Sequence, residues 1–252
     1  MEFKKRGQLS FFVLAGIVII IALSILFYFS TLNVNKPEID TIVLSFDIKE
    51  IEDRIDSCLK EMMPKIADLM ASNGGFIDLK NAPFKMEFSF IKDEWRKTVA
   101  YGLFEDKIVL IGNDGLEYQI ENYLEENIPL CARVNNLGVD YEGKINVVAK
   151  VMPDNINVNV VYPLIFKKGD LTWKTRDKYM LNLKSKLGLM RDLSQEIVEQ
   201  QNRNNGFISF SDLDAKGIKI SMNPVDKDTT VFLLNDESSS LSFMFGSGRR
   251  NE

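Results

Sequence analysis

The sequence contains no histidine. That absence removes Ser-His and Cys-His activation of a nucleophile, His-containing zinc sites, and the commonest general base near neutral pH. Only two cysteines occur, Cys58 and Cys131, too few to build a four-ligand zinc site of thiolates. Gly-rich phosphate loops of the Walker or dinucleotide type are missing, and the short stretches "GNDG" and "FGSG" read as turns. No Asn-x-Ser/Thr acceptor is present, so ordinary N-glycosylation is not expected. In "SDLDAKGIKI" the residues Asp212, Asp214 and Gly217 are spaced faintly like a calcium loop, but a third oxygen ligand and the terminal Glu are lacking. Glu125 and Glu126 are neighbours on a predicted helix, so they point in different directions and read as solvated surface rather than as a glycosidase pair. No catalytic, cofactor-binding or metal-binding residue is singled out, and no cofactor is expected.

What is present is an apolar N-terminus. The chain opens "MEFKKRGQLSFFVLAGIVIIIALSILFYFSTLNV". From Phe11 to Phe29 there is no charge. As a helix at about 1.5 Å per residue this run spans about 28 Å, against a hydrocarbon core of about 30 Å. A secretory signal has a shorter apolar region and ends at a small-x-small cleavage site. Here bulky residues, "SILFYF", stand at the end. The residues 9–30 therefore read as a transmembrane helix that contacts membrane lipid. Lys4, Lys5 and Arg6 precede it, whereas Lys36, Glu38 and Asp40 after it are mixed in sign. The positive-inside rule then leaves residues 1–8 as a cytoplasmic tail and puts the C-terminal body outside. Residues 31–44, with Pro37, read as a stalk; 45–247 as an extracytoplasmic domain, divisible near 140 or 205; and 248–252 as a flexible tail.

The segment "KKRGQLS" resembles the class III signal of archaeal type IV pilin-like proteins, in which a basic tail is followed by Gly-Gln, a Ser and an apolar helix. Gly7, Gln8 and Ser10 carry the match. The resemblance implies cleavage between Gly7 and Gln8 by a prepilin-peptidase-like enzyme, with the helix retained. The alternative reading is that "GQLS" is the polar start of an anchor helix. Phe12 occupies the place where the pilin pattern carries Glu, which argues against a packed filament. The remainder loosely resembles single-span surface proteins of small archaea, which share a "GQ" opening, a Cys-bearing first helix and a "GG-F/Y-I" turn after it.

The chain has 31 Lys+Arg and 36 Asp+Glu, a net charge of −5. Such an acidic body is not a nucleic-acid binder by charge, because phosphate contacts need basic surface. Along it, Ile48, Ile51, Ile55, Cys58 or Leu59, Met62, Ile66 and Leu69 repeat at helical spacing. Pro64 is expected to kink that helix, and Gly74-Gly75 to stop it. "FKMEFSFIK" alternates like a strand, and "RKTVAYGLFEDKIVLIG" reads as one or two more. A second helix covers "DGLEYQIENYLEENIPLCAR", with Leu116, Ile120, Tyr123 and Leu124 inward and Glu117, Glu121, Glu125 and Glu126 on its wet face; Pro129 is expected to end it. "INVVAKVMPDNINVNVVYPLIF" is a hairpin signal with Pro153-Asp154-Asn155 as its turn. "LTWKTRDKYMLNL" reads as one strand. A third helix is predicted near 184–202, with Leu187, Met190, Ile197 and Val198 inward. "FISFS", "GIKISMN", "TTVFLL" and "LSFMFG" read as strands. The predicted class is α+β: a transmembrane helix, then a mainly antiparallel sheet with about three packed helices.

Cys58 lies on the inward stripe of the first predicted body helix and Cys131 at the end of the second. An outer compartment permits a disulfide between them; two separate buried thiols are the other reading. The functional expectation is a non-enzymatic structural or interaction protein of the cell surface, for which a protein partner is allowed but not identified and nucleic acid is not expected. The alternatives are an anchored, carboxylate-dependent hydrolase or a pilin-like filament subunit.

Overall fold

The computed structural model describes residues 16–21, 23–24, 38–89, 96–134, 140–168, 171–204, 206–213 and 217–248. The chain divides into two compact units, Met1–Lys49 and Glu50–Glu252.

In the first unit a helix, α1, is described at residues 16–21 and 23–24. Its aliphatic side chains Ile17, Val18, Ile19, Ile20, Ile21 and Leu23 are all exposed. The Ser24 hydroxyl donates to the Ile20 carbonyl at 2.7 Å, so this polar group is satisfied inside its own helix. Among the described residues no helix is long and apolar enough to cross a membrane. The remaining residues of the run 9–30 lie outside the described set, as do Gly7 and Gln8.

Helix α2 is Glu38–Ser72. It starts earlier than the sequence suggests, so residues 38–44 of the expected stalk are helical. The helix also runs through Pro64. Its buried seam is Ile51, Ile55, Cys58, Leu59, Met63, Ile66, Ala67, Met70 and Ala71. The sequence pattern had placed Met62 and Leu69 on that seam, yet Met62 is half-buried and Leu69 exposed. Each is displaced by a neighbouring methionine, Met63 and Met70, whose flexible thioethers fill the core. Gly74 and Gly75 stop the helix with φ of 74° and 97°, and the Gly75 N–H returns to the Met70 carbonyl at 2.7 Å.

Helices α3 (Asn113–Cys131) and α4 (Leu187–Arg203) complete the helical set among the described residues. Pro129 lies inside α3, which ends two residues later at Cys131. In α4, Leu187, Met190, Ile197 and Val198 are buried, as their spacing predicts.

The strands form three sheets. The largest contains β1 (Lys85–Ser89), β2 (Arg96–Phe104), β3 (Lys107–Ile108), β10 (Ile218–Pro224), β11 (Thr229–Asp236) and β12 (Ser242–Gly248). Its order is β1-β2-β12-β11-β10, with β3 on β2. The β12–β2 pairing is parallel and the others antiparallel. α4 packs against it: a Cβ on Gly102 would meet Phe245 and Val198, so this small residue lets helix and sheet approach. The second sheet is β4 (Asp140–Glu142), β7 (Ile165–Lys168) and β8 (Leu171–Lys174) in the order β4-β7-β8. The third is β5 (Asn146–Val151), β6 (Asn155–Val161) and β9 (Lys178–Lys184) in the order β5-β6-β9.

Two short sequences depart from the strand pattern. "LTWKTRDKYMLNL" is not one strand but β8 and β9, in different sheets. Opposite the break the chain passes from β6 to β7 through Pro163. The chains bridge the bend through Tyr162 N–H to Asp177 O and Thr175 N–H to Leu164 O, 3.0 and 2.9 Å. The buried Thr175 hydroxyl accepts the Leu164 N–H at 3.0 Å. "FISFS" gives a 3-10 turn, Phe210–Asp212, instead of a strand. Phe207 and Phe210 are exposed there, so alternation alone did not give this segment a sheet face to cover.

Candidate functional site

The β5-β6-β9 sheet has two unlike edges. Along β5, the backbone N–H groups of Val147, Ala149 and Val151 face away from β6. They donate to three carboxylates of α3: Val147 to Glu125 at 3.0 Å, Ala149 to Glu121 at 2.9 Å, and Val151 to Glu117 at 3.0 Å. Helix and strand run in opposite directions. The spacing matches because four residues of helix rise about 6 Å and two residues of strand advance about 6.6 Å. The glutamates thus take the place of a missing neighbouring strand and close the edge. Lys150 adds an ion pair from its Nζ to Glu117, 2.7 Å.

This arrangement corrects the sequence reading of α3. Leu116, Ile120, Leu124 and Ile128 are buried. Glu117, Glu121 and Glu125 are half-buried against β5, and only Glu126 of that set is exposed. Tyr123 is half-buried rather than core. The sequence carries only a trace of this arrangement, Glu at every fourth position (117, 121 and 125), which a solvated helix face shows equally.

Cys58 and Cys131 form a disulfide between α2 and α3, with Cα atoms 6.0 Å apart. A second tie is Gln119 on α3. Its Oε1 accepts the Ile77 N–H at 3.1 Å and its Nε2 donates to the Gly75 carbonyl at 3.0 Å. The glycine stop of α2 is therefore pinned to α3. At the bend before β9, the Arg176 N–H donates to Glu52 at 2.6 Å, its guanidinium pairs with Asp56, and its carbon lies 4.2 Å from the Tyr179 ring centre.

Asp236 ends β11 and is buried. Burial opposes its ionisation. Against this, Lys186 Nζ at 2.8 Å, Ser239 Oγ at 2.6 Å, the Ser238 N–H at 3.1 Å and the Ser238 Oγ at 2.8 Å hold its carboxyl well below the usual carboxylate range. This cluster fixes the β11–β12 turn.

Among the described residues no group of acidic, His or Cys side chains could hold a metal ion. The candidate site is the outer face and the β9 edge of β5-β6-β9. A shallow groove of about 510 Å³ lies on that face, lined by Val148, Asn157, Asn159, Met180 and Asn182 among others. Asn182 Nδ2 donates to Asn157 Oδ1 at 2.6 Å. No family model, curated protein or solved structure matches this chain.

Proposed function

We propose that this chain is a membrane-anchored structural or interaction protein of the cell surface, held by one N-terminal helix with its α+β body outside. The observation that carries the reading is the uncharged run from Phe11 to Phe29 behind Lys4, Lys5 and Arg6. Such a run is long enough to span a bilayer, and the basic cluster sets its direction. The Cys58–Cys131 disulfide supports an oxidising location for the body. The absence of histidine supports binding over catalysis. The test is the accessibility of the body to protease added to intact cells, after fractionation has placed the chain with membranes.

A further inference from the structure

The edge of β9 contrasts with that of β5. Hydrogen-bonding directions alternate along paired antiparallel strands. Since Val147, Ala149 and Val151 face outward from β5, the register places the backbone groups of Lys178, Met180, Asn182 and Lys184 on the outer edge of β9. Among the described residues no strand pairs with that edge. Met180, at its centre, is 77% exposed. Among the described residues, three carboxylates close the β5 edge, whereas on the other edge Glu52 takes the Arg176 N–H just before β9 and no strand pairs with Lys178–Lys184 itself.

The open edge has a distinct chemistry. No Asp or Glu occurs in β5, β6 or β9, although the chain carries a net charge of −5. Lys178 and Lys184 flank the edge, and neither forms an ion pair among the described residues. The inner face is unfinished at this edge. Leu181 and Leu183 are only half-buried, whereas Ile156 and Val158 beside them on β6 are buried. Next to Leu183 is a small cavity of about 120 Å³, lined also by Lys184 and by Pro64, Ala67, Asp68 and Leu241, so one carboxylate of α2 already stands on the Lys184 side.

We propose that β9 is a docking strand for an extended segment of another protein, in which acidic residues alternate with aliphatic ones. The segment adds to the sheet as a neighbour of β9. Its acidic side chains lie on the outer face beside Lys178 and Lys184. Its aliphatic side chains cover Leu181 and Leu183. A second copy of this chain fits less well: in the register that uses the whole strand, Lys178 of one copy faces Lys184 of the other, and like charges directly opposite repel. The proposal rests on the reading of the body as an interaction module and names the class of its partner.

The test uses the full chain in detergent and a labelled peptide of alternating Glu and Val. Saturable binding is expected, weakened at least tenfold in Lys178→Glu/Lys184→Glu. It is expected to weaken similarly when alternate peptide nitrogens are methylated, which removes the strand hydrogen bonds and keeps the charge. Amide exchange at Met180 and Asn182 should slow on binding. Three results overturn the proposal. They are no saturable binding up to about 1 mM peptide, equal binding of the methylated peptide, or a dimer of the chain that protects the same amides without peptide. A failed peptide experiment leaves the membrane topology standing, because protease accessibility measures topology separately.

Discussion

The Ala149 N–H donates to the Glu121 carboxylate across 2.9 Å, and it sits between two equivalent pairs on the same helix and strand. A buried strand edge is thereby satisfied by side chains. Glu121→Ala leaves the Ala149 N–H without its acceptor and is expected to cost about 1–3 kcal/mol. Glu126→Ala, on the exposed side of the same helix, should stay within about 0.5 kcal/mol of the parent. Denaturant unfolding of both variants decides the matter. Equal stabilities would show that the three glutamates are surface charge and nothing more.

Much of the fold was legible. The buried face of α4 followed from Leu187, Met190, Ile197 and Val198, and the β5–β6 hairpin from Pro153-Asp154-Asn155, because periodicity and turn chemistry are local. The glutamate ladder was not legible, since a carboxylate bonded to a distant backbone has the same helical spacing as one bonded to water. The split between β8 and β9 was hidden for a similar reason. The bend is held by groups far away in sequence: Tyr162, Leu164 and Glu52 bond to Asp177, Thr175 and Arg176. Nor does periodicity say which edge of a sheet stays open, so β9 emerged only from the pairing.

Asp236 should set part of the acid stability. Its folded carboxyl titrates below its ordinary value, which is about 3.9 when unfolded. The contribution is therefore complete above the unfolded value and is lost as pH falls through the folded one. Asp236→Asn is expected to destabilise at neutral pH by about 2–4 kcal/mol and to narrow its gap to the parent below about pH 4. A constant gap in unfolding free energy from pH 7 to pH 2 would remove Asp236 as the cause.

The disulfide should stabilise by restricting the unfolded chain. Its cysteines are 73 residues apart, and the chain-entropy relation gives about 4 kcal/mol for a loop of that length. Cys58→Ser/Cys131→Ser, or reduction of the parent, should lower stability by that order. Mass spectrometry of unreduced, unfolded protein with an alkylating agent should show no labelled thiol. Two labelled thiols in native preparations would contradict the bond.

Gly188 inverts a familiar rule. Alanine ordinarily favours a helix over glycine by about 1 kcal/mol. Here a Cβ would overlap the Met152 carbonyl oxygen, where the β5–β6 turn meets the start of α4. Gly188→Ala is therefore expected to lower the unfolding midpoint, with a cost of about 1–3 kcal/mol. A rise in the midpoint would mean that the turn can withdraw freely.

Topology is the measurement on which the proposed function depends. Protease added to intact cells should remove the α+β body and leave an N-terminal fragment containing residues 11–29 with the membrane fraction. The same treatment of lysed cells should give the same cleavage. A body protected in intact cells and cut only after lysis would reverse the orientation and contradict an outward-facing surface protein.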